Sequence, residues 1–291
     1  MEVGIGTIGH LNSSHLHTDR GQLLLFHFCF GKYCLFLHLA SQDIWTRRRT
    51  MKLVGPFQMK QFSVAHDNCA MRVNTDGCLL GAIAGENHHQ DSVQQILDIG
   101  TGSGVIALQM AQRFNNAFVD AVEIHGPSAK QATENFKGSP WNNRMICYHE
   151  PLQDFEASVS YDIIVSNPPY FESGPTKLDE GVANARHALT LDFNSLIQHA
   201  SRLLKETGTF WCVLPADRAD QMIEAGIEEN LHPVSIYAIR PKSDRAANRI
   251  ILAFSKETSA ETTRKEFVLY KAPQEYTDEV REVLKPFYAS L

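Results

Sequence analysis

Ile96-Leu97-Asp98-Ile99-Gly100-Thr101-Gly102-Ser103-Gly104 is the stretch on which the fold turns. A short apolar run carrying one acid ends in three glycines at alternate positions. Val105 to Phe114 follows, with apolar residues at 105, 106, 108, 110, 111 and 114, which is one face of a helix. Strand, glycine turn and helix in that order open a βαβ unit and point to a parallel sheet. The glycines permit a tight turn and let main chain approach a ligand closely. A dinucleotide fingerprint, G-x-G-x-x-G, would need its third glycine at position 105, where the chain has Val105.

The same alternation continues downstream. Strands are expected at Phe118 to Ile124, Met145 to Tyr148, Tyr161 to Val165 and Thr209 to Leu214, with helices at Ser128 to Phe136, Leu191 to Leu204 and Ala219 to Glu229. Pro127 reads as a first-turn proline. Val234 to Ile239 and Arg249 to Phe254, joined by a basic connection, read as a hairpin at the end of the sheet. Glu266 to Tyr270 reads as an extra strand and Thr277 to Tyr288 as a closing helix capped by Thr277.

The observed glycine spacing, with Asp98 two residues ahead of Gly100, resembles the D-x-G-x-G-x-G loop of class I methyltransferases. The resemblance implies an α/β, Rossmann-like fold: a seven-stranded, mostly parallel sheet with a terminal antiparallel hairpin and helices on both faces. It also implies S-adenosyl-L-methionine as cofactor, with Asp98, Gly100, Gly102 and Gly104 at its binding loop. Glu123 ends the second strand, 19 residues after Gly104, and a carboxylate there accepts hydrogen bonds from both ribose hydroxyls. Asp154, after the third strand, sits where this fold places an adenine-contacting acid or amide.

Asn167-Pro168-Pro169-Tyr170 follows the fourth strand directly. In an open parallel sheet ligands bind at the carboxyl ends of the strands, so this tetrapeptide and the glycine loop should line one cleft. It resembles the N-P-P-Y of amino methyltransferases, which act on planar amines. The lone pair of such an amine is delocalised. The Asn167 side-chain carbonyl and the Pro168 main-chain carbonyl would each accept one N–H and let the nitrogen pyramidalise toward a methyl donor. Tyr170 offers a flat face for an unstacked base.

Composition bounds the rest. The 291 residues are 43% hydrophobic and carry 27 Lys+Arg against 33 Asp+Glu, a net charge of −6. That excludes a disordered chain and argues against a non-specific nucleic-acid coat, while leaving room for a local basic patch. Six cysteines without C-x-x-C spacing read as free thiols of a reducing compartment, and the 13 histidines show no ligand spacing, so no metal is expected.

The first fifty residues look foreign to the remainder. Leu23 to Ala40 is apolar but interrupted by His27, Lys32 and His38, short of the ~20 apolar residues of a membrane span. Arg47-Arg48-Arg49 follows this run, the wrong order for a signal peptide. The expectation is a native start at Met51 or Met59, with residues 1–50 as translated upstream sequence without a fold of its own, residues 51–291 as the methyltransferase domain, and a cytoplasmic protein that is a monomer and does not enter a membrane.

Phe62 to Ala82, which includes Ala65-His66-Asp67-Asn68-Cys69-Ala70-Met71-Arg72-Val73-Asn74-Thr75-Asp76-Gly77, is similar to the N-terminal block of the bacterial valine-tRNA adenine-N6 methyltransferase family. Further likeness lies in Ala185-Arg186-His187-Ala188, in Pro241 to Arg249 and in Tyr276-Thr277. The block more commonly has Gly where this chain has Asn74. The resemblance spans roughly residues 55–291 and implies methylation of adenine N6 at tRNA position 37, with tRNA as the partner. Lys177, Arg186, Lys242, Arg245 and Arg249 are the candidate phosphate-binding rim on an acidic protein. The N-P-P-Y chemistry alone leaves other substrates open: a protein glutamine amide, or an adenine of ribosomal RNA or DNA. A non-catalytic binding module for the cofactor or for RNA would not need two amine acceptors.

Overall fold

The computed structural model describes residues 55–69, 71–169, 192–258 and 261–290, and of the first 54 residues only the main chain of four short strands. Those strands form two antiparallel pairs, His15–Thr18 with Gly21–Leu24 and Phe28–Phe30 with Tyr33–Leu35. Met1–Val54 and Gly55–Leu291 are separate compact units.

The second unit is built on one sheet. Its strands are β1 (Gln95–Ile99), β2 (Phe118–Val122), β3 (Met145–Tyr148), β4 (Tyr161–Ser166), β5 (Leu204–Pro215), β6 (His232–Arg240), β7 (Arg249–Ser255) and β8 (Thr263–Val268). Their order across the sheet is β8-β6-β7-β5-β4-β1-β2-β3. Only β7 runs against the rest: it pairs antiparallel with β5 and β6, and β8 adds parallel to β6. The sheet therefore has eight strands where seven are expected, and the hairpin of β6 and β7 folds back so that β7, not β6, meets the parallel core.

Alternation along the strands explains two cores. Ile96 of β1, Ile163 and Val165 of β4, and Trp211 and Val213 of β5 face one side. Leu97 and Ile99, Ile164, and Phe210, Cys212 and Leu214 face the other. The first core is covered by α1 (Thr75–Ile83), α2 (Val105–Arg113), α3 (Gly126–Lys137) and α6 (Asp278–Leu284), the second by α4 (Phe193–Leu203) and α5 (Ala219–Glu228). Such sandwiching is what lets the central strands read as near-continuous apolar runs.

Helix α1 has no amphipathic signature in the sequence. Gly77, Cys78, Leu79, Leu80, Gly81 and Ile83 are all buried, so no polar face marks it. Gln109 of α2, itself buried, donates to the Cys78 carbonyl at 3.0 Å. Among the described residues Cys69, Cys78, Cys147 and Cys212 are free thiols, and no helix is long and apolar enough to cross a membrane.

Candidate active site

Two loops leave the sheet at the carboxyl ends of adjacent strands. Ser166 of β4 lies opposite Ile99 of β1, and its hydroxyl donates to the Ile99 carbonyl at 2.9 Å. The glycine loop starts from one end of that bond and Asn167-Pro168-Pro169 from the other. Between them opens a cleft of about 570 Å³, the size of a small-molecule site.

The glycine loop is organised from behind. Asp98 is fully buried and accepts from Thr101 Oγ1 at 2.6 Å and from the Ala107 amide at 3.1 Å. Gly104, at φ 82°, stands at the N-cap of α2 with no side chain to cap it, so Asp98 takes over that capping role. Burial pushes its carboxyl up to about 7, the bonds from Thr101 and Ala107 pull it down, and nearby Glu123 raises it. A Cβ on Gly104 would stand 2.5 Å from the Phe136 ring. Gly100 and Gly102 also have positive φ, but a Cβ on either would meet nothing within 4 Å. These two glycines face the cleft. Asp98 and Gly104, expected at the cofactor, are not among the lining residues and shape the loop instead.

Glu123, nine-tenths buried, lines the same cleft. Its Oε2 accepts from the Gly102 amide and its Oε1 from the His125 amide, both at 2.8 Å. Main chain thus holds both oxygens in place, and the remaining lone pairs suit a vicinal diol. After β3 the cleft is lined by Glu150, Pro151, Leu152 and Gln153. Asp154, the expected adenine contact, is exposed and outside the lining, because its amide closes a turn onto the Pro151 carbonyl at 3.0 Å and carries the side chain outward.

Asn167, Pro168 and Pro169 line the opposite wall, joined by Met71, Arg72, Asn74 and Gly77 of the N-terminal block. Asn74 caps α1, its Oδ1 accepting from the Gly77 amide at 2.8 Å. A Cβ on Gly77 would lie 3.4 Å from Asn167 Nδ2, so the asparagine turns its nitrogen toward α1. Sequence reading missed Arg72 and Asn74 as cleft residues. The departure from Gly at position 74 was the available signal, since Asn is a strong N-cap.

Lys242 and Arg245 lie exposed on the loop between β6 and β7, at the carboxyl end of β6 and hence on the edge of the sheet that bears the cleft. Arg249 donates to Asp76 Oδ2 at 2.9 Å. Tyr170, Lys177 and Arg186, with the stretch 185–188, lie outside the described residues.

An open glycine turn and an anchored carboxylate acceptor fit a ligand that carries a ribose, and the Asn167 amide lines the same cleft. A family model described as "Methyltransferase small domain" matches residues 85–240. A tRNA1(Val) (adenine(37)-N6)-methyltransferase of Christiangramia forsetii is 38% identical over 240 residues, 81% of this chain and 98% of that protein. The chain belongs to the tRNA1(Val) (adenine(37)-N6)-methyltransferase family. A member of that family from Aeromonas salmonicida is 39% identical over 236 residues, again 81% of this chain and 98% of its own length. The fold has a neighbour in the crystal structure of a predicted O-methyltransferase from Agrobacterium tumefaciens, with a TM-score of 0.58 at 17% identity over 73% of this chain and 96% of that one. As a methyltransferase of this family the chain is an enzyme, and S-adenosylmethionine is its methyl donor.

Proposed function

We propose that this enzyme methylates N6 of adenine 37 in a valine tRNA. The observation that carries the reading is the placement of Asn167 and the glycine loop on one cleft, tied by Ser166 to Ile99. Members of the family that match over four-fifths of the chain bear that activity in their names.

In this reading Gly100 and Gly102 admit the methionine and ribose portions of the donor, Glu123 accepts from the ribose hydroxyls, and Leu152 with Gln153 flanks the adenine. The bound donor supplies an electrophilic methyl group. Asn167 Oδ1 and the Pro168 carbonyl accept the two N–H bonds of the target amine and aim its lone pair. Positioning of this kind removes much of the barrier without a strong base, and the methylated nitrogen loses its proton to water. Tyr170 supplies a stacking face for a base taken out of its stack. Lys242 and Arg245 meet phosphates at the rim, and Lys177 and Arg186 are the further cations that the sequence offers for such contacts.

The test is methyl transfer from labelled S-adenosylmethionine to total tRNA, total ribosomal RNA and a release factor offered separately. Label only in tRNA, recovered as N6-methyladenosine from one anticodon loop, is the expected result. Label in the protein, as a methylated glutamine, would replace this reading with the amide one.

A further inference from the structure

Helix α3 buries three uncharged polar side chains, Ser128, Gln131 and Asn135. Their spacing of three and four residues sets them in one row. A buried polar row is costly unless every member is bonded, and here a single segment supplies a partner to each. Cys69 hydrogen-bonds Ser128, Asn68 Nδ2 donates to Gln131 Oε1 at 3.3 Å, and Ala65 meets Asn135. The segment thus runs antiparallel to α3 along this row, and further on it delivers Met71, Arg72 and Asn74 to the cleft.

Asn135 does more than its two neighbours. Its Oδ1 accepts from the Ala65 amide at 3.1 Å, while its Nδ2 donates to the Ala65 carbonyl and to the Ser103 carbonyl, each at 2.8 Å. One acceptor and two donors on a short side chain describe a carboxamide and no other group. Ser103 is buried, lines the cleft and immediately precedes Gly104. One side chain therefore holds the main chain of the glycine loop and the main chain of the N-terminal segment at once.

We propose that Asn135 is a positioning residue for the methyl donor, setting the glycine loop and the segment 62–74 as one body so that both walls of the cleft are in register when the donor binds. The inference rests on the reading that this cleft takes S-adenosylmethionine. A mere staple for the segment would make Asn135 equivalent to Gln131, which touches the same segment without reaching Ser103.

The experiment is calorimetric titration of full-length wild type, Asn135→Asp, Asn135→Leu and Gln131→Leu with S-adenosylhomocysteine, at a temperature where circular dichroism shows each folded. Beside it, amide exchange of the wild type is followed with and without the same ligand. The expected result is a Kd raised tenfold or more in both Asn135 variants and less than twofold in Gln131→Leu. In the wild type, ligand should slow exchange in residues 62–74 together with 100–104. A Kd within twofold of wild type in the Asn135 variants, or protection at 100–104 with none at 62–74, would overturn the proposal. The exchange measurement decides it if the variants do not fold. A wild type that does not bind the ligand would instead bring down the reading of the cleft, and the inference with it.

Discussion

Arg249, at the start of β7, donates through Nε to Asp76 in the first turn of α1 at 2.9 Å, across 173 residues of sequence. Both side chains are mostly shielded, 30% and 21% exposed. The pair fastens the basic connection 241–248 to the helix whose N-cap, Asn74, lines the cleft. The last cation of the expected phosphate rim is therefore engaged within the protein.

The three basic residues should separate in solution. Lys242→Glu with Arg245→Glu is expected to weaken tRNA binding and flatten the dependence of log Kd on log salt by roughly 1–2, at ~0.7–0.9 per lost phosphate contact. Arg249→Ala is expected to cost about 1–2 kcal/mol of stability, between the values for exposed and buried pairs, with little change in the salt slope. Filter binding across a salt series and urea denaturation read the two effects. A flattened slope in Arg249→Ala would return that residue to the rim.

Asn167→Ala removes one of the two amine acceptors and leaves the glycine loop intact. The expected loss in kcat is about 10²–10³, the range for a single preorganised electrostatic partner, with S-adenosylhomocysteine affinity within a few-fold of wild type. Single-turnover transfer and equilibrium titration measure both. Full turnover in the variant would exclude the residue from the chemistry.

The pH dependence of Asp98 has a definite sign. Its pKa in the folded protein is about 7 against an ordinary 3.8, so the unfolded chain releases the proton first. The native state is favoured by this group below pH ~4, and that advantage is lost as pH rises to ~7. Asp98→Asn has no such titration. The stability difference, wild type minus variant, should fall on the order of a few kcal/mol between pH 4 and 8. Thermal unfolding of the ligand-free protein over that range checks it, and a flat difference would contradict it.

Two glycines of one loop should fail in different ways. Gly104→Ala drives a Cβ into the Phe136 ring from a left-handed residue, for an expected loss of about 2–4 kcal/mol. Gly100→Ala meets no atom and should cost ~1–2 kcal/mol through its backbone alone, with the larger effect on donor affinity because Gly100 lines the cleft. Equal stability losses with unchanged affinity would contradict the assignment of roles.

Local order along the chain was enough to place most of the sheet, because central strands and flanking helices carry their own periodicities and because glycine and proline mark where they end. Glu266 to Tyr270 was a strand displaced from its true bounds at Thr263–Val268, since Arg264, Lys265 and Glu266 on an exposed edge give no apolar alternation. Helix α1 stayed hidden for the opposite reason, as past its first turn nearly every residue is buried. Asp154 looked like the cofactor acid from its distance past β3, but one turn at Pro151 was sufficient to send it outward.

The spacing of Asp98, Gly100, Gly102 and Gly104 and the tetrapeptide at Asn167 were legible without coordinates, since each is a local pattern whose backbone demands fall on neighbouring residues. Whether Arg249 meets a phosphate or Asp76, whether Asn135 is a surface amide or a three-bond clamp, and which glycines face the cleft are matters of partners 32 to 173 residues away. Hydrogen-bonding capacity is written in a residue's identity. The atom that satisfies it is chosen only when the sheet brings distant segments within bonding distance.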